Sequence, residues 1–182
     1  MEQKDYKLEI LKELAKKSSH ARELAKLLGT NHMTVSRKIK ELEKENVLDY
    51  HQEGKNKRYF IKKTAEARNY LLIMENYKLN KLIKKYPSLR KIVEKVQADP
   101  TIPLAVIFGS YAKAIAKEDS DIDVYIETKK QNIKKELSMI DSRLSIKIGK
   151  YNRSNLLIRE IEKNHVIIKG AENYYEKIEF FS

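Results

Sequence analysis

Two aspartates and a Gly-Ser pair are the residues of this sequence best suited to do chemistry. The continuous apolar run LAVIFG predicts a strand that is buried on both faces and ends at Gly109. A glycine there lets a phosphate approach the backbone, and Ser110 adds a hydroxyl and N–H groups at the start of a predicted helix, YAKAIAK. The stretch DIDVYIE predicts a second strand, on which Asp121 and Asp123 share one face. This pattern indicates Mg²⁺ held on the oxygens of a nucleoside triphosphate.

The order Gly109-Ser110, ten residues, Asp121-Ile122-Asp123 resembles the signature of the minimal nucleotidyltransferases, small members of the DNA polymerase beta superfamily. The resemblance covers about residues 100–175, and the tail IEKNHVIIKGAENYYE is similar to archaeal members of the group. It implies that Asp121 and Asp123 are the catalytic and metal-binding residues, with Mg²⁺ or Mn²⁺ as the cofactor. It further implies that Gly109, Ser110 and Lys113 bind the nucleotide. Lys113 stands where many members carry an arginine, and Ala114 replaces a frequent glycine.

The lack of a third carboxylate is the main departure from this family pattern. Active members bring another acid to the metals from a later strand, and the candidate strand here is RLSIKIGKY. Its alternating positions hold Ser145, Lys147 and Gly149, so no acid is present. General-base help contributes about 10² to 10⁴ in rate. We therefore expect nucleotide and metal binding with slow or absent transfer, and Lys147→Asp or Lys147→Glu as the change that raises transfer.

The first third of the chain has the pattern of a winged helix. Three segments with helical apolar spacing are followed by VLDYHQEGKNKRYFIKK, which alternates with the period of a strand around a Gly/Asn turn. The stretch SSHARELAKLLGTNHMTVSRKIKELEKENVL resembles winged-helix transcriptional regulators. The third helix and the hairpin predict a DNA-binding surface. Its candidate residues are Thr34, Ser36, Arg37 and Lys40 on the helix and Lys55, Lys57 and Arg58 on the hairpin.

Charge and composition favour the same partner and exclude several kinds of site. The 182 residues carry 38 Lys and Arg against 26 Asp and Glu, and the net charge of +12 predicts attraction to polyanions such as double-stranded DNA. The absence of cysteine excludes disulfides, thiolate metal sites and a cysteine nucleophile. No signal peptide or membrane span is evident, which predicts a cytoplasmic protein without a membrane partner.

We expect an α+β chain made of three parts. These are a winged helix-turn-helix domain over residues 1–63, a long helical linker over 64–99, and a mixed α/β nucleotidyltransferase-like domain over 100–182. The first functional hypothesis is a DNA-binding transcriptional regulator whose second domain binds NTP and Mg²⁺. The second is an active nucleotidyltransferase that moves NMP onto a protein, small molecule or RNA end. The third is an adenylylating antitoxin with a toxin-like partner protein. A homodimer joined along the long helix is compatible with each of them.

Overall fold

The computed structural model describes residues 4–130 and 132–182, and it has the α+β composition expected from the sequence. The chain divides into two compact units, residues 1–74 with 181–182 and residues 75–180. The long helix α4, Ala65–Lys85, contributes residues to both. Within the described residues, no helix combines the length and the apolar character needed to cross a membrane.

The first unit is a winged helix, as predicted. Its helices begin and end at residues with clear local reasons: Asp5 and Asn31 accept backbone N–H groups at the start of the first and third helices, and Gly29 ends the second with φ +62°. The buried faces of the three helices meet in one core. The elements are α1 Tyr6–Leu14, β1 Ser19–His20, α2 Ala21–Leu28, α3 His32–Lys44, β2 Leu48–Glu53 and β3 Asn56–Ile61.

The wing is the antiparallel hairpin of β2 and β3. Glu53 pairs with Asn56, so the connection is the two-residue loop Gly54-Lys55, where glycine supplies φ +58°. The sequence did not predict β1, which pairs with β3 and gives the sheet order β1-β3-β2. A strand of two residues is too short to show the alternation by which strands are predicted.

Helix α4 follows the wing and agrees closely with the predicted long helix. The Thr64 hydroxyl accepts the N–H of Ala67 at 3.2 Å, which caps its start. Pro87 stops it and opens a short 3₁₀ turn, Pro87–Leu89, that leads into α5, Arg90–Ala98.

The second unit is built on a four-stranded mixed sheet in the order β6-β5-β4-β7. Strand β4 is antiparallel to both β5 and β7, whereas β5 and β6 are parallel. The two strands predicted around Gly109 and Asp123 are therefore neighbours in the sheet. The elements are β4 Leu104–Ile107, α6 Gly109–Ala112, β5 Ile122–Glu127, α7 Ile133–Ser138, β6 Leu144–Ile148, α8 Leu156–Lys163, β7 Val166–Lys169 and α9 Ala171–Lys177.

Alternation along β5 separates the core from the candidate site. Ile122, Val124 and Ile126 are fully buried in a core that includes residues of α4, α5 and α7. The intervening residues Asp123 and Tyr125 face the other side of the sheet. One strand thus supplies both the apolar packing that holds the sheet and the carboxylate that the sheet positions.

Candidate functional site

The two aspartates lie at the beginning of β5, beside the end of β4. Asp121 immediately precedes the strand and is exposed, and Asp123 is its second residue and is half-buried. Ile107 pairs with Val124, and the Phe108 N–H donates to the Asp123 carbonyl oxygen at 3.0 Å. This antiparallel pairing brings the Gly109 turn directly against the Asp123 side chain.

Gly109 is required at this turn for two separate reasons. Its φ of +67° lies in the left-handed region, where side chains are strained. A Cβ on this residue would also lie 2.3 Å from Asp123 Oδ2, well inside van der Waals contact. The carboxylate therefore occupies the space that any side chain at residue 109 would need.

Neither aspartate carboxylate has a charged partner within the described part of the chain. Among residues 4–130 and 132–182, no hydrogen bond or ion pair reaches the side chain of Asp121 or of Asp123. By contrast, Glu127 at the far end of β5 pairs with Lys177 Nζ at 3.0 Å. Two adjacent uncompensated carboxylates in a chain of net charge +12 form a donor set that fits a hard divalent cation such as Mg²⁺.

The helix after Gly109 is shorter than the sequence predicted. YAKAIAK was expected to form a helix, but α6 is a single turn that ends at Ala112. Ala114 takes φ +57°, and the Ile115 N–H returns to the Ser110 carbonyl at 3.1 Å, which closes the turn. The first-turn N–H groups of Ser110 and Tyr111 have no carbonyl of α6 to bind. Binding of an anion here would therefore depend on hydrogen bonds from these amides rather than on the dipole of a long helix.

We expect Ala114→Gly to stabilise the second unit, because glycine removes the strain of a Cβ in the left-handed region. The expected gain is about 0.5 to 1 kcal/mol, measured as a shift in the urea unfolding curve. Ala112→Gly, in the helical turn two residues earlier, should destabilise by a similar amount. Equal effects of the same sign would contradict this account of Ala114.

The loop between α6 and Asp121 is tied down at three carbonyl oxygens. Lys85 Nζ donates to the Ala114 carbonyl at 2.6 Å, and the Tyr86 hydroxyl donates to that of Ala116 at 3.4 Å. Arg143 donates to the carbonyl of Glu118 and also pairs with Asp141, whose Oδ2 lies 2.7 Å from Nη2. The hydrogen bond that Arg143 donates to the Asp141 carboxylate raises the pKa of Arg143 above its already high value. These contacts hold the segment that leads into Asp121.

Strand pairing identifies the residue that stands beside Asp123. In the parallel register of β5 and β6, Asp123 is opposite Ser145 and Tyr125 is opposite Lys147. Neighbouring strands lie about 4.8 Å apart, so Ser145 is in reach of a shared ligand, whereas Lys147 is about 6.6 Å further along the strand. Ser145 is therefore the residue of β6 that stands beside Asp123, whereas the sequence pointed to Lys147 as the position where an added acid would act.

Other acids near the site in sequence are directed elsewhere. Glu127 is four residues beyond Asp123, about 13 Å along β5. Asp141 lies in the turn after α7 and is held by Arg143. In the described residues, no group of three His, Cys, Asp or Glu side chains is arranged to hold a metal ion.

On α3 the structure separates the predicted DNA-binding residues by exposure. Val35, Ile39 and Leu42 form its buried face, while Arg37 and Lys40 are exposed on the opposite side. Thr34 and Ser36 are half-buried beside them. The sequence prediction omitted Met33, which is 75% exposed on the side of the helix that carries Arg37. A plain helical wheel could have found it.

The three basic residues of the wing differ in what they contact. Lys55 is exposed in the two-residue loop. Lys57 lies with Nζ 3.7 Å from the centre of the Tyr50 ring, a cation–π contact that leaves the cation at the surface. Arg58 pairs with Glu53 at 2.6 Å and donates to the Ser18 carbonyl at 3.1 Å. In this conformation, Arg58 holds the wing to the segment before β1.

Comparison with known proteins gives separate results for different parts of the chain. Residues 90–173 match the family described as polymerase beta, nucleotidyltransferase. No curated protein sequence matches the chain. A solution NMR structure from Mycobacterium bovis, a homodimeric winged helix-turn-helix DNA-binding domain described as a possible ArsR-family transcriptional regulator, shows 26% identity and a TM-score of 0.35.

That match covers 37% of this chain and 63% of the Mycobacterium bovis domain, so the chain spans less than two thirds of that structure. With a TM-score of 0.35, the likeness carries no argument about fold or function. The winged helix is instead established by the order and pairing of the elements themselves.

Proposed function

We propose that this chain is a DNA-binding transcriptional regulator whose second unit binds a nucleoside triphosphate together with Mg²⁺ or Mn²⁺. The observation that carries the nucleotide part is the pair of carboxylates Asp121 and Asp123, which have no partner among the described residues and of which Asp123 packs against the Gly109 turn. The match of residues 90–173 to a nucleotidyltransferase family supports the same assignment. The exposed cations of α3 and the wing support the DNA-binding part.

Each residue of the site has a chemical task in this proposal. Asp121 and Asp123 hold the metal, which neutralises charge on the triphosphate oxygens when bound. Gly109 leaves room for a phosphate, and the Ser110 hydroxyl and the first-turn N–H groups of α6 donate to its oxygens. Lys113 is exposed just after α6 and supplies a further cation.

Transfer of the nucleotide is weak or lost in this proposal because Ser145 stands where a third carboxylate is needed. A serine hydroxyl does not supply the negative charge that a second metal requires, and as a neutral group it is too weakly basic to take the proton of an acceptor hydroxyl. An active nucleotidyltransferase, including an adenylylating antitoxin, would need an acid from elsewhere. The homodimer, the toxin-like partner and the cytoplasmic location stay predictions.

Calorimetric titration of the whole chain with each of the four ribonucleoside triphosphates tests the nucleotide part. We expect binding in the presence of Mg²⁺ that is lost when EDTA removes the metal. Binding that is the same with and without the metal would mean that the carboxylates do not act through a cation. If no heat of binding is measured at millimolar nucleotide, the proposed nucleotide function is wrong and the second unit serves as a scaffold.

For DNA binding, we expect Arg37→Ala combined with Lys40→Ala to weaken affinity for duplex DNA roughly ten- to a hundredfold at moderate salt. Each phosphate contact that is lost should also lower the slope of log K against log salt by about one. Fluorescence anisotropy over a range of salt concentrations measures both quantities.

The matched control removes the same charge at the C-terminal end of α1, from Lys12 within the helix and Lys16 two residues beyond it. Lys12→Ala with Lys16→Ala removes two cations that form ion pairs with Glu9 and Glu13. This control should bind DNA almost as tightly as the parent. If the two double variants behave alike, net charge and not the face of α3 accounts for the affinity.

A further inference from the structure

The exposed side of α3 carries one large apolar residue among cations. Met33, Arg37, Lys40 and Lys44 are spaced by four, three and four residues, which places them on one stripe of a helix. All four are exposed, and this stripe lies opposite the buried residues Val35 and Ile39. Within the described part of the chain, no hydrogen bond or ion pair engages the side chain of Arg37, Lys40 or Lys44.

Met33 is the unusual member of this stripe. It is the second residue of α3, and its side chain is 75% exposed, the highest fraction among the large hydrophobic residues described in the first unit. The Asn31 side chain accepts the Thr34 N–H at 2.7 Å, so the first turn that carries Met33 is firmly capped. The methionine is therefore presented to solvent by an ordered helix end.

We propose that Met33 reads the 5-methyl group of a thymine in the major groove, an inference that rests on the DNA-binding part of the proposed function. When a recognition helix enters this groove, its N-terminal residues contact base edges and its later residues can reach the phosphates. Along the stripe, the apolar residue comes first and the three cations follow. This order is the one expected if Met33 contacts a base and Lys40 and Lys44 contact DNA phosphates.

Thymine is the base that fits because of its chemistry. Its methyl group is the apolar feature that distinguishes it in the major groove, where the other base edges present hydrogen-bond donors and acceptors. The thioether of methionine cannot donate a hydrogen bond and is only a weak acceptor, so polar edges offer it little. A flexible, polarisable side chain also adapts well to a small apolar target.

The test begins with duplexes selected by the whole chain from a random library. A consensus thymine should emerge, and replacing it by deoxyuridine removes only the methyl group. We expect about three- to tenfold weaker binding of the parent protein to the uracil duplex. Met33→Ala should bind the thymine duplex more weakly by a similar factor and should no longer distinguish thymine from uracil.

Two control variants separate this contact from general effects. Met33→Leu keeps an apolar side chain and should retain preference for thymine. Leu27→Ala truncates another exposed hydrophobic residue of the first unit, 56% exposed on α2, and should leave the preference unchanged. Loss of the preference in Leu27→Ala would point to a general effect of surface truncation and would overturn the assignment to Met33.

Failure of the inference and failure of the proposed function are distinguishable. Selected sites without a consensus thymine, or a parent protein that binds thymine and uracil duplexes equally, would overturn the role of Met33 while DNA binding stands. If no duplex binds at low salt, the DNA-binding function itself is wrong, and the inference is wrong with it.

Discussion

Replacing Asp121 and Asp123 together by asparagine should weaken Mg²⁺-dependent nucleotide binding by at least about 100-fold, because both charged ligands of the cation are removed. The amides keep the shape of the side chains beside Gly109, so the turn should be preserved. Calorimetry with the nucleotide that the parent binds most tightly, with and without Mg²⁺, measures the loss.

The control for this double variant changes two acidic residues in the loop just before Asp121. Glu118→Gln with Asp119→Asn removes two negative charges from exposed residues only two residues before the site. It should leave nucleotide affinity within about twofold of the parent, because exposed carboxylates that do not contact the cation act on it only through water of high dielectric constant. Equal losses in both double variants would show that local charge, not coordination, governs binding.

The Asp121→Asn, Asp123→Asn variant should remain folded, so a loss of nucleotide binding can be attributed to the missing carboxylates. Asp121 and Asp123 have no pairing partner among the described residues, so neutralising them relieves repulsion and breaks no ion pair. We therefore expect the unfolding midpoint of the Asp121→Asn, Asp123→Asn variant to equal or exceed that of the parent. A large drop in stability would indicate that the carboxylates have structural partners, and would weaken their assignment as metal ligands.

Ser145→Asp is the second change with a large expected effect. It places a carboxylate opposite Asp123 in the β5–β6 register and should raise nucleotidyl transfer by about 10² to 10⁴ if the rest of the site is competent. In that reaction, an acceptor oxygen bonds to the α-phosphorus, the bond to pyrophosphate breaks, and the acceptor proton passes to a base. Pyrophosphate release with labelled nucleotide and cell lysate measures the rate.

Lys147→Asp is the matched control for this gain. It adds the same acid to the same face of β6, but opposite Tyr125 and one step further from Asp123. The sequence favoured this residue as the activating position, and the register moves the expectation to Ser145. Activation by Lys147→Asp and not by Ser145→Asp would contradict the register as the reason. Rapid transfer by the parent protein would mean that another acid already completes the site.

Features that depend on neighbours in sequence were predictable. The phase of Asp123 on β5 follows from the two-residue period of a strand, and the end of β4 two residues before Gly109 follows from an apolar run that stops at a glycine. The winged helix could be predicted for the same reason, because helix caps and hairpin turns depend on residues close together in sequence.

Tertiary structure decided which distant residues meet. Ser145 is 22 residues beyond Asp123, and only the parallel pairing of β5 and β6 sets it, rather than Lys147, opposite the aspartate. The predicted helix YAKAIAK was shortened to one turn within a loop held by Lys85, Tyr86 and Arg143. So short a segment gains little stability as a helix even though alanine and lysine favour one, and the tertiary hydrogen bonds prevail.

The same distinction applies to the basic residues of the first unit. The sequence grouped Arg58 with Lys55 and Lys57 by charge, but a partner 40 residues away, the Ser18 carbonyl, together with Glu53 holds the Arg58 guanidinium within the fold. Local sequence determines strand phase, helix faces and turns, because these arise from backbone geometry over a few residues. Register and long-range partners depend on how separated segments pack, and packing is settled only when the whole chain folds.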